Sequence, residues 1–148
     1  VTQVAGLDAA SVTFPALGTT ATLAVTNPAA LGAARTALDR VLTEIDVACS
    51  RFREDSELTA VNRAGGHPVV VSESLLTAIE VALRAARLTD GDVDPTVGTA
   101  VRVIGYDRDF GELAKTDGPL TCVVGRVPGW QQIQLDHRRR TVTVPAGV

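Results

Sequence analysis

The stretch VSESLLTAIEVALRAARLTDGDVDPTVG, residues 71–98, decides how the chain is read, because it changes character halfway. Leu75, Leu76, Ile79, Leu83 and Ala86 recur at three- and four-residue spacing, the pattern of a helix with one buried face. Ser72 stands where an N-cap belongs, and Gly91 where a C-terminal glycine belongs. Asp90, Asp92 and Asp94 then arrive at alternate positions, just before Pro95. A proline disfavours helical backbone in the residue before it. The acids are therefore expected in a loop leaving a helix, where functional groups tend to be held.

Acids at a helix C-terminus meet the negative end of its dipole, at about 0.3–1 kcal/mol each. A compensating partner is expected: a donor-rich ligand, an arginine or a cation. The spacing imitates the opening of a calcium loop, but the sixth and twelfth places hold Pro95 and Val101 where Gly and Glu are needed. A magnesium site needs one or two carboxylates plus substrate phosphates, which a single acid here could serve. The plain alternative is a turn whose acids bond their own backbone. On composition alone that alternative is favoured.

Working outward, Thr19 to Val25 alternate as a strand. Asn27-Pro28 starts a helix, with Leu31, Ala34, Leu38, Val41, Leu42, Ile45, Cys49 and Phe52 on its apolar face. Arg35, Asp39, Arg40 and Glu44 form the opposite face. In SRFREDSELTAVN (Ser50 to Asn62), Asp55 is read as the cap of a short helix holding Leu58 and Val61. Gly65-Gly66 marks a turn and Val69 to Val71 a short strand. Thr96 to Ile104 is read as a further helix, GYDRDF and KTDGP as loop. Gln131 to Leu135 and Thr141 to Val144 form a hairpin around DHRRR. This order is α+β rather than strictly alternating.

The bulk numbers agree with one domain. The chain has 148 residues, 45% of them hydrophobic, enough to bury a core without staples. Its acidic balance, a net charge of -3, gives no electrostatic case for nucleic acid. The run Arg138 to Arg140 is read as a solvated turn, and Cys49 and Cys122 as two buried thiols. No apolar run approaches the roughly 20 residues of a membrane helix, and the first residues lack the basic start and apolar core of a leader. Phosphate-loop, dinucleotide and zinc patterns are absent, and His67 and His137 have no triad partners in pattern.

Four pieces in order carry a family likeness: PALGTTATL (Pro15 to Leu23), SRFREDSELTAVN, the opening stretch with the later GYDRDF, and VPGWQQIQLDHRRRTVTVPAGV. Together they resemble the ApbE-like flavinyltransferases, the FAD:protein FMN transferases, over nearly the whole chain. The fold implied is the N-terminal part of a T-fold-like domain, an antiparallel sheet packed with helices. The activity implied is magnesium-assisted transfer of FMN from FAD to a threonine of a target flavoprotein, with AMP leaving. By this resemblance Asp92, Val93 and Asp94 line the FAD site. Leu17 stands where the family usually has Met, and Phe52 where many members have a Tyr that stacks on the flavin. Ser56, Glu57 and Asn62 match the family's "DSEL...N" pattern, with capping and ligand roles both open.

The likeness stops at PAGV, where the family's "DLGGIAKG" segment would begin. The chain is therefore expected to be an N-terminal half, with magnesium ligands and catalytic groups beyond it; no catalytic or metal residue is assigned. The alternatives are a flavin- or nucleotide-binding fragment without turnover and a purely structural domain. Uncovered sheet edges would favour a homodimer. A cytoplasmic location is compatible with the missing leader, and many family members work in the cell envelope.

Overall fold

The computed structural model describes residues 9–106 and 129–148. Its contacts divide the chain into two compact units, residues 1–46 and 47–148. In the first, β1 (Ala10–Ala16) and β2 (Thr19–Val25) pair antiparallel, from Ala10 opposite Val25 to Ala16 opposite Thr19. Leu17 and Gly18 join them with φ of 49° and 72°. Positive φ at both central residues makes the tight hairpin turn whose twist matches that of paired strands. Glycine takes that backbone freely, whereas the Leu17 Cβ crowds its own carbonyl. Only β2 was expected from the alternation.

The Asn27 side chain accepts the Ala29 N–H at 3.0 Å. Pro28 opens a single 3-10 turn, Pro28–Ala30, which leads into α1 (Leu31–Cys49). The helix start is as the sequence reads, but the helix is shorter than its apolar pattern. It ends at Cys49, and Phe52 lies beyond it in a bend. Its apolar stripe is also less covered than expected: Val41 is 50% and Ile45 39% exposed. Phe14, on β1, is buried, and the Arg35 guanidinium lies 3.4 Å from its ring centroid.

The second unit holds α2 (Glu57–Arg63), β3 (Val69–Val70), α3 (Glu73–Leu88), α4 (Gly98–Val103), β4 (Gln134–Asp136) and β5 (Thr141–Thr143). The strands form an antiparallel sheet in the order β3-β5-β4, with Val142 opposite both Val69 and Leu135. Val142 is fully buried, and with Ala48, Val61, Val71, Leu75, Leu76 and Val144 it makes the core. Helices packed with an antiparallel sheet confirm the α+β reading. Trp130–Gln132 coil into a 3-10 turn, so β4 begins at Gln134 rather than Gln131. At the hairpin tip the Asp136 carboxylate accepts the N–H groups of Arg138 and Arg139, and all three arginines of the run are exposed. That is a solvated turn. The KTDGP loop, GYDRDF beyond Tyr106, and Cys122 lie outside the described residues.

Two caps fix the frame of this unit. Ser56, not Asp55, caps α2: its Oγ accepts the Thr59 N–H at 3.1 Å. The same hydroxyl donates to the Ser50 carbonyl at 2.6 Å, and the Thr59 hydroxyl donates to the Arg53 carbonyl at 2.7 Å. Ser56 is 1% exposed, so these bonds replace water that cannot reach it. Asp55 is left outside this knot and pairs with Arg53. At the head of α3, Ser72 caps as expected, accepting the Leu75 N–H. The Ser72 N–H itself donates to Glu57 Oε2 at 2.7 Å. A capping box normally draws that carboxylate from the same helix; here α2 supplies it across 15 residues.

Candidate functional site

The acidic loop begins at the last turn of α3. The Gly91 N–H reaches back to the Ala86 carbonyl at 2.9 Å, and Asp90 and Gly91 both have positive φ, 51° and 91°. This is a Schellman ending with aspartate in the left-handed place and glycine one residue later. Glycine is favoured at Gly91 for a second reason: a Cβ there would sit 3.3 Å from the Trp130 indole nitrogen, a tight contact. The Thr89 hydroxyl then accepts the Val93 N–H at 3.0 Å. These bonds tie the loop back to the helix and direct the chain toward Asp94.

The three acids part company here. Asp90 and Asp92 are exposed, and so is Val93 at 50%. Asp94 is half-buried, and its Oδ1 accepts both the N–H and the hydroxyl of Thr96, at 2.8 and 2.6 Å. Thr96 is 1% exposed, so this turn is locked from within. Asp94 thus does what the plain reading said a turn-forming acid would do. It also lines an open cleft of about 290 Å³, with its Oδ2 unbonded among the described residues.

That cleft is bordered by Leu58 and Asn62 of α2, Asp94 and Pro95 of the loop, and Val101 and Arg102 of α4. Arg51, Val97, Gly98 and Val148 complete it. Its walls are mainly apolar, and its polar groups, Arg51, Asn62, Asp94 and Arg102, come from four separate segments, the usual make-up of a small-molecule site. Arg51 is the residue the sequence reading passed over. Its Nη1 donates to the Tyr106 carbonyl at 2.8 Å, and its guanidinium lies 4.2 Å from the Phe52 ring centroid and 4.0 Å from that of Tyr106. The two rings meet edge-on, with centroids 5.9 Å apart. A guanidinium over two ring faces is held by their quadrupoles as well as by its hydrogen bond. Phe52 itself is not on the cleft wall; it backs the Arg51 side chain that is.

Of the sequence-selected residues, Asp94 and Asn62 line the cleft, while Ser56 and Glu57 serve the frame. Asp92 and Val93 are exposed beside it and do not line it. Leu17 stands at the hairpin tip of the first unit, 54% exposed. Among the described residues no three metal-ligating side chains come together, so these residues do not build a metal cage and no step is routed through a metal here. Cys49 is a half-buried free thiol, its pKa raised by burial and then by the nearby Glu57 carboxylate. The Asp55 carboxyl is held below its usual value by the Arg53 hydrogen bond, in full solvent. Among the described residues no helix is long and apolar enough to cross a membrane.

The ApbE family model matches residues 17–147. A curated relative from Vibrio cholerae, named FAD:protein FMN transferase, is 38% identical over 84 residues, which are 56% of this chain and 24% of the relative. Among solved structures, the ApbE protein of Thermotoga maritima superposes with a TM-score of 0.74 at 24% identity, covering 95% of this chain and 46% of its own. The flavin transferase ApbE of Vibrio cholerae superposes with a TM-score of 0.71 at 27% identity, covering 91% and 44%. The chain thus spans less than half the length of these structures. With the family model matched across nearly all of its length, this chain belongs to the ApbE family.

Proposed function

We propose that this chain is the N-terminal half of a flavinyltransferase domain and carries part of its FAD site. The observation that supports the reading is the cleft: Asp94, from the family-like DPTVG segment, and Arg51, from the family-like SRFREDSEL segment, line the same recess. In the proposed reaction a threonine oxygen of a target flavoprotein attacks the phosphorus of the FMN moiety. The phosphorus–oxygen bond to the AMP moiety breaks, AMP leaves, and the hydroxyl proton passes to a base. Such transfer depends chiefly on positioning and charge neutralisation, and magnesium would supply the latter. By the family likeness, its ligands and the base would come from the segment that follows the matched half.

The chain's own residues would bind and orient. The open Oδ2 of Asp94 would accept a hydrogen bond from the nucleotide's ring or ribose. Leu58, Val97 and Val101 would cover apolar ring surface, and Gly98 would admit close backbone approach. Phe52 would act through Arg51 as well as by its own ring, since Arg51 already occupies one of its faces. Asp92 and Val93 would reach a ligand only where it extends past the cleft rim, and a part for Leu17 rests on the family likeness alone. The competing reading is structural, and the Asp94–Thr96 turn favours it: in that reading the loop only turns the chain.

Flavin fluorescence titration with FAD, followed by a magnesium-dependent transfer assay on a threonine-bearing acceptor protein, separates these readings. The flavin reading expects saturable FAD binding and a product carrying the added FMN mass. FAD binding without transfer supports a binding module without turnover. No FAD binding leaves the structural reading standing and removes the other two.

A further inference from the structure

The cleft has an electrostatic feature that the acidic loop hides. Two guanidinium groups, Arg51 and Arg102, line it against one carboxylate side chain, that of Asp94, in a chain whose net charge is -3. Neither arginine has a carboxylate partner among the described residues, whereas Arg35, Arg53 and Arg139 each pair with an aspartate. Arg51 is also pre-oriented. Its plane is set by the Phe52 and Tyr106 rings and its Nη1 is fixed on the Tyr106 carbonyl, which leaves Nε and Nη2 as donors without a partner among the described residues. Arg102 is held more loosely, by one 3.3 Å bond from Nη2 to the Thr99 hydroxyl. A fixed planar fork with spare donors, in a cleft that a second guanidinium also lines, matches the oxygen geometry of a phosphate.

We propose that Arg51, seconded by Arg102, is a phosphate-recognition subsite of this cleft and selects diphosphate-bearing ligands over their phosphate-free counterparts. The proposal rests on the flavin-nucleotide reading of the cleft, but it concerns the phosphate end of the ligand and can be tested apart from the flavin. The aromatic pair then has a second role. It holds the guanidinium in place before the ligand arrives, so less side-chain freedom is lost on binding.

The test titrates the wild-type protein and the Arg51→Gln, Arg51→Lys and Arg102→Gln variants with FAD, ADP and riboflavin, with melting temperatures measured alongside. Loss of one charge-assisted contact should weaken FAD and ADP binding to Arg51→Gln about ten- to a hundredfold and leave riboflavin within about twofold. Arg51→Lys should fall between, because an ammonium keeps the charge without the planar fork. A purely structural role for Arg51 would lower all three affinities together with the melting temperature, and that result overturns the proposal. ADP binding that depends on Arg51, without any preference for FAD, supports the phosphate subsite and counts against the flavin reading. FAD binding indifferent to Arg51 and Arg102 does the reverse. Absence of any binding overturns both. If Arg51→Gln does not fold, Arg102→Gln carries the same comparison, since its side chain has only the Thr99 contact to lose.

Discussion

The segment from Ser50 to Asn62 and the loop from Asp90 to Gly98 both carry several polar residues in few positions, yet they use them in opposite ways. In the first, Ser56, Thr59 and Glu57 turn inward and satisfy one another, the Ser50 and Arg53 carbonyls and the Ser72 N–H. In the second, Asp90 and Asp92 stay in solvent, and Asp94 gives one oxygen to Thr96 and keeps the other on the cleft. Closed polar groups build a frame; half-closed ones can build a site. Arg51 sits at the seam, one residue after Ser50 in the frame, yet facing the cleft.

The comparison breaks first at Ser56. Ser56→Ala removes the α2 cap and leaves the Ser50 carbonyl short of a donor, so stability should fall by about 2 kcal/mol in chemical denaturation. FAD affinity of the folded fraction should be unchanged; a parallel loss of affinity would move Ser56 from the frame to the site. Asp94→Ala should act on both: it takes the acceptor from the buried Thr96 N–H and hydroxyl, so the melting temperature should fall, and it should weaken FAD binding of the folded fraction by about 1–3 kcal/mol in a fluorescence titration. Unchanged affinity would leave Asp94 with its turn alone.

Leu17 sharpens the same contrast in the other unit. A type I′ turn prefers Asn-Gly, and Leu17-Gly18 keeps a bulky side chain at φ 49°. Leu17→Asn should therefore raise stability by about 1 kcal/mol. If Leu17 packs on flavin, the more stable variant should bind FAD more weakly; if binding is untouched, the strain has no part in it. The smallest effect is at Asp55. Arg53 lowers its pKa in the folded state, so its contribution to stability is present above the unfolded pKa and fades as pH falls through the folded one. In full solvent this should be a faint acid-limb slope that Asp55→Asn removes, read from melting temperatures between neutral and acid pH.

What could be read in the sequence was what neighbouring residues decide. The Ser72 and Asn27 caps, the Gly65-Gly66 turn, β2 and the span of α3 all follow from side chains within a turn of the groups they satisfy. Local pattern does not separate Asp55 from Ser56 as a cap, because aspartate caps as well as serine; burial of Ser56 decides between them, and burial is a tertiary quantity. β1 went unread because Pro15 interrupts its pattern, although its place opposite Thr20 near the hairpin end tolerates a missing donor. At the site, Asp94 was legible from the family likeness. Arg51 was not, because its partner carbonyl is 55 residues away and no local spacing announces a guanidinium over two rings.

The central claim is that the Asp94 carboxylate serves a ligand in addition to its turn. Asp94→Asn isolates that claim, since the amide oxygen can still accept from Thr96 while the charge is gone. The measurement is FAD affinity of this variant against wild type, by flavin fluorescence, with melting temperatures taken in parallel. The account predicts a near-unchanged melting temperature and FAD binding weakened roughly tenfold, the loss of one charge-assisted hydrogen bond. Equal FAD affinity in a protein of equal stability would contradict it and return Asp94 to the frame.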